Sequence, residues 1–126
     1  MRILAHVYGD ACHIYTADPI EHISQHANLH DTTITLFQGD FTEMLEHYDL
    51  QDIGLAFIDS GPPTVGLREG GMRLRHYEAV KPRMAPGGLI LIHDMDRPWA
   101  DDDIVRETLL ANASMVIGKF SVEQVS

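Results

Sequence analysis

Ala85-Pro86-Gly87-Gly88-Leu89-Ile90-Leu91-Ile92-His93-Asp94 reads as a tight turn, four apolar residues and then an abrupt return to polarity. Leu89 to Ile92 does not alternate with polar residues, as expected of a strand covered on both faces in a parallel sheet between helices. Ile53-Gly54-Leu55-Ala56-Phe57-Ile58 reads the same way and ends at Asp59. Two shorter runs, His13 to Ala17 and Thr33 to Phe37, are β-branched or aromatic and add two more strands.

Helical spacings lie between these runs. Asp18-Pro19 offers an N-cap and a proline at the first helical position, with Ile20, Ile23 and Ala27 as the apolar stripe. Asp40-Phe41-Thr42-Glu43 is an acidic capping box opening a short helix through Met44, Leu45 and Tyr48. A third helix is expected from Met72 to Val80, and a fourth from Asp102 to Ala111 with Ile104, Val105, Thr108 and Leu109 inward. Met115 to Val122 reads as one last strand. Strand and helix in repeated alternation predict a single α/β layered domain over residues 1–126.

Composition narrows the function. Hydrophobic residues make up 44% and charged residues 22% of the chain, ordinary globular values that exclude a disordered or disulfide-built protein. Nine Lys and Arg against nineteen Asp and Glu leave a net charge of −10, which repels phosphate backbones. Nucleic acid and anionic membrane are therefore poor partners. Arg68, Arg73, Arg75, Lys81 and Arg83 cluster in sequence and read as a solvated helix surface. Cys12 is the only cysteine and reads as an inert buried thiol in a reducing compartment. With neither a secretory h-region nor an apolar run long enough to span a membrane, a cytoplasmic protein is expected.

In α/β sheets, ligands sit beyond the carboxyl ends of the strands. Asp18, Asp40, Asp59 and the pair His93-Asp94, with Asp96 two residues on, occupy those places. Singly, Asp18 and Asp40 are good N-caps, and Asp59-Ser60-Gly61-Pro62-Pro63 is ordinary loop chemistry. Four carboxylates around one crevice would repel one another unless a cation or hydrogen-bond donors sat among them, so their joint placement points to a ligand. His22, His26 and His30 have the spacing of zinc ligands on a helix but no fourth partner, and read as solvated histidines. Trp99 reads as part of a loop over the crevice or as packing against the fourth helix.

Ile14-Tyr15-Thr16-Ala17-Asp18, Gln38-Gly39-Asp40, Leu55-Ala56-Phe57-Ile58-Asp59-Ser60 and Met84 to Asp94 together resemble the class I S-adenosylmethionine-dependent methyltransferases, in particular the small-molecule group. The resemblance implies a three-layer, Rossmann-like, mostly parallel sheet. It implies that Asp18 holds the cofactor's ribose, that Gly39, Asp40 and Phe41 border its adenine, and that Asp59 and the His93-Asp94 turn face the methyl group and a small-molecule acceptor. Carboxylates at these last two places bind Mg²⁺ in the metal-dependent members. Two departures stand out. Residues 1–17 contain no Gly-x-Gly and leave no room for the family's first strand, glycine-rich turn and helix, so the sheet's central strand is missing unless the first residues are reused or a second copy in a homodimer fills the gap. The histidine that commonly follows the family's Asp-Gly turn is replaced by the Pro62-Pro63 region.

Two routes to an activated acceptor are open: Mg²⁺ on Asp59 and Asp94, with Asp96, or His93 as base beside the carboxylates. Two other functions compete. A receiver-like phosphoacceptor domain would need an acidic pair after the first strand and a lysine after the Leu89 to Ile92 strand, and has neither. A methyltransferase fold that no longer holds cofactor, acting as a binding or assembly module, fits the missing glycine-rich turn.

Overall fold

The computed structural model describes residues 12–18, 34–59, 69–95 and 103–126. The chain divides into two compact units, Met1–Tyr48 and Asp49–Ser126, each described by itself below.

The first unit is built on two parallel strands, β1 (Ile14–Asp18) and β2 (Ile34–Gln38), in register from Ile14↔Ile34 to Asp18↔Gln38. Ile14 and Ile34 pair in its core, with Cys12 half-buried against them. Helix α1 (Phe41–His47) follows, burying Met44 and Leu45. The capping box works as read: Asp40 is the N-cap, and its Oδ2 accepts from the Thr42 backbone N–H at 3.1 Å and from the Thr42 hydroxyl. The helix expected after Asp18-Pro19, with His22, His26 and His30, lies outside the described residues.

The second unit carries a four-stranded sheet in the order β3-β4-β6-β5. Strand β3 (Ile53–Ile58) lies parallel to β4 (Met84–Ile92), and β6 (Phe120–Gln124) runs antiparallel to both β4 and β5 (Met115–Ile117). Helix α2 (Glu69–Val80) crosses between β3 and β4, is followed by a 3₁₀ turn at Lys81–Arg83 with Pro82 near its start, and packs against α3 (Asp103–Ala111). Ala56, Ile58, Ile90 and Ile92 are buried, together with Met72, Tyr77 and Val80 of α2 and Leu109 of α3.

Several expectations are corrected. Strand β3 alternates after all: Ala56 and Ile58 are buried, while Leu55 and Phe57 remain 44% and 45% exposed, because the described residues cover only one face of the sheet. The Ala85 to Gly88 turn lies within β4 as a bulge, with Ile53 opposite Met84 and Leu55 already opposite Leu89. The single strand expected over 115–122 is a hairpin, since Gly118 at φ 56° reverses the chain and pairs Ile117 with Phe120. Thr108 is exposed rather than inward. The basic cluster is a solvated face only in part: Arg75 is exposed, but Arg73 is buried, Lys81 binds Tyr77 and Glu123, and Arg83 donates to the Leu50 carbonyl at 3.0 Å, while Arg68 lies outside the described residues.

Candidate functional site

Pairing of β1 with β2 brings the first group of site residues together. Asp18 ends β1 opposite Gln38, and the Gly39 N–H donates to the Asp18 carbonyl at 3.0 Å. Asp40 then caps α1, whose first residue is Phe41. A Cβ at Gly39 would lie 2.6 Å from Phe37 Cε1, so a larger residue there would have to displace the Phe37 ring. Asp18, Gly39, Asp40 and Phe41 thus gather at the carboxyl end of the β1–β2 pair, where the sequence placed them.

The second group follows from the parallel pairing of β3 with β4. Ile58 and Ile92 are partners, so the next residues, Asp59 and His93, emerge side by side, and the His93 N–H continues the ladder to the Ile58 carbonyl at 3.0 Å. The chain then turns sharply, with Asp94 in the left-handed region at φ 63°, a conformation Asp tolerates better than most residues. His93 Nδ1 lies 3.1 Å from Asp59 Oδ1 and 3.2 Å from Asp94 Oδ1. Ionised carboxylates only accept, so Nδ1 is the ring nitrogen that donates to them. The imidazole also packs on Phe120 at 4.9 Å between centroids, and Phe120 on Phe57 at 5.7 Å. Behind Asp94, Met95 is buried, its N–H donates to the Lys119 carbonyl at 2.9 Å, and its own carbonyl accepts from Arg106 at 2.6 Å. The turn is thus tied to both α3 and the β5–β6 hairpin.

One potential ligand atom from each of Asp59, His93 and Asp94 lies within 4.8 Å of the others. The two carboxylates, with Asp59 about half exposed, fit a divalent cation that completes its shell with water. Asp96, the third expected metal ligand, and Trp99 lie outside the described residues.

Sequence reading missed Arg73. Its guanidinium donates from Nη2 to Asp94 Oδ2 at 3.3 Å and lies 3.9 Å from Asp59 Oδ1. A signal was present: Arg73 is seven residues before Val80, on the same stripe of α2, a spacing that puts it on the packed face.

Comparison with known proteins adds to this geometry. The family described as "Methyltransferase domain" matches residues 1–95. Among solved structures, the MycE methyltransferase of the mycinamycin biosynthetic pathway, in complex with Mg and SAH (S-adenosylhomocysteine), is similar over 90% of this chain and 36% of its own, at 20% identity and a TM-score of 0.61. SMU.1697c from Streptococcus mutans, in complex with SAH, matches over 90% and 76% of the two chains at 12% identity and a TM-score of 0.59. An rRNA methylase from Streptococcus thermophilus matches over 90% and 74% at 19% identity and a TM-score of 0.56. The chain therefore spans about a third of the length of the mycinamycin enzyme. No curated protein matches it in sequence.

Proposed function

This chain belongs to the class I S-adenosylmethionine-dependent methyltransferases, and on that premise we propose that it transfers a methyl group from S-adenosylmethionine to a small-molecule hydroxyl, assisted by Mg²⁺. The observation that carries the proposal is the meeting of Asp59, His93 and Asp94 at the carboxyl ends of two adjacent parallel strands. The family match runs across the boundary between the two units, which supports one domain containing both.

Asp18 is assigned to the ribose hydroxyls, and Gly39, Asp40 and Phe41 to the adenine. Asp59 and Asp94, with Asp96, would hold the cation. When bound, S-adenosylmethionine supplies an electrophilic methyl group and Mg²⁺ a Lewis acid beside the acceptor oxygen. His93 takes the acceptor's proton at Nε2 while its Nδ1–H remains on the two carboxylates, which fix the ring's orientation. The net charge of −10 favours a small acceptor over a nucleic acid, and the MycE methyltransferase in complex with mycinamycin VI is among the similar structures. No described helix is long and apolar enough to cross a membrane, and the lone Cys12 fits a cytoplasmic setting.

Calorimetric titration with S-adenosylmethionine, with and without Mg²⁺, tests this reading. Binding is expected, and Asp18→Ala is expected to weaken it by more than its effect on melting temperature accounts for. His93→Ala should lower kcat by about 10²- to 10⁴-fold with cofactor binding retained. No heat at saturating cofactor under either condition would instead favour a binding module on the same fold.

A further inference from the structure

Helix α2 brings to the strand-end carboxylates a charge that neither strand supplies. Arg73, with 1% of its side chain exposed, sits on the face of α2 that packs toward β3 and β4. A guanidinium keeps its proton throughout the physiological range, and a buried cation must be matched by an anion. Asp94 provides it and is divided by it: Oδ2 faces Arg73 at 3.3 Å, while Oδ1 faces His93 Nδ1 at 3.2 Å. The same guanidinium nitrogen lies 3.9 Å from Asp59 Oδ1.

We propose that Arg73 is a positioning residue and the built-in counter-cation of the Asp59–Asp94 pair, turning Asp94 Oδ1 toward the ligand side and loosening the pair's hold on a divalent metal ion. The proposal rests on the assignment of Asp59 and Asp94 as cation ligands. Two carboxylates alone present a charge of about −2; with the guanidinium against them the cluster presents about −1. A divalent ion placed on the Oδ1 atoms is drawn less strongly to that smaller charge, and Arg73 is too deeply buried to be screened fully by water. The sequence thereby sets the strength of metal binding from the helix behind the site, leaving the ligating atoms unchanged.

Titration with Mn²⁺, a spectroscopic substitute for Mg²⁺ read by the paramagnetic resonance of the free ion, tests this on the full chain. Wild type is expected to bind weakly and D94N to lose binding. R73M and R73Q, which remove the charge, should bind about tenfold more tightly, and R73K, which keeps it, should stay near wild type. A purely structural arginine predicts the reverse, with looser binding in R73M and no rescue in R73K. Binding by wild type without tightening in R73M or R73Q overturns the role of Arg73 alone. Absence of binding in both wild type and R73M overturns the cation-ligand assignment on which the proposal rests. If circular dichroism shows neither uncharged variant folded, Arg73 belongs to stability and the proposal falls.

Discussion

Tyr77, Lys81 and Glu123 form a closed polar triangle on the helix-covered side of the second unit. The Tyr77 hydroxyl donates to the Glu123 carboxylate at 3.0 Å, and Lys81 Nζ donates to Tyr77 at 2.8 Å and to Glu123 at 3.0 Å. Burial, more than its polar neighbours, pushes the Tyr77 phenol above its ordinary range; the hydrogen bond to Tyr77, followed by that to Glu123, raises the Lys81 ammonium. Both groups hold their protons more tightly folded than unfolded. Their stabilising effect is therefore complete below about pH 10 and is lost as pH climbs through the raised values. Chemical denaturation across an alkaline pH series should show stability falling from about pH 10 upward. Tyr77→Phe should flatten that fall and cost about 1 kcal/mol at neutral pH. This triangle was not legible in the sequence, and Arg73 was legible only through its spacing to Val80 on α2. Lys81 and Glu123 are 42 residues apart, and a run of basic residues gives no sign of which ones turn inward until the buried stripe of the helix is known.

Among the elements, the bulge in β4 makes the sharpest demand on residue type. A Cβ on Gly88 would stand 2.8 Å from the Ile53 carbonyl oxygen and 2.9 Å from that of Ala85, both backbone atoms that cannot swing aside. Gly88→Ala should cost about 1–3 kcal/mol in thermal denaturation, and because β4 ends in His93-Asp94, loss of methyl transfer should accompany it. Asp40→Ala removes the α1 cap and should cost about 1 kcal/mol. The four strands that carry the candidate site were legible because each is an apolar or β-branched run ending in an acid or a polar pair. The β5–β6 hairpin was not, because apolar residues lie on both sides of Gly118-Lys119 and Gly118 looks like a strand interior until its positive φ is seen. The bulge was half visible: Pro86-Gly87-Gly88 announced a turn, but not that strand pairing would resume around it.

At the level of the whole molecule, the described strands form two sheets, and β3 pairs only with β4 among them. Leu55 and Phe57 on β3 and Met115, Val116 and Ile117 on β5 are large apolar residues left exposed. Such surface favours association. Light scattering over a concentration series should show self-association, and Phe57→Lys should reduce it; a monomer at every concentration would remove the homodimer from consideration. The order of strand ends and their acids was readable from the chain, whereas what lies beside β1 and β3 was not, since residues 1–17 contain no glycine-rich turn to mark it.

Strand β6 comes after β5 in the chain yet is inserted between β4 and β5. Its extension also fastens the bulge, with Gly87 N–H donating to the Val125 carbonyl at 2.8 Å and Val125 N–H to the Gly88 carbonyl at 2.9 Å. During synthesis, one flank of β4 must therefore wait, unzipped, until residues 120–125 have left the ribosome, and the long loop closed by that late arrival makes it a slow step. A chain ending at Gly118 should remain open to protease in the second half of its length, whereas one that continues through residues 119–126 should resist it.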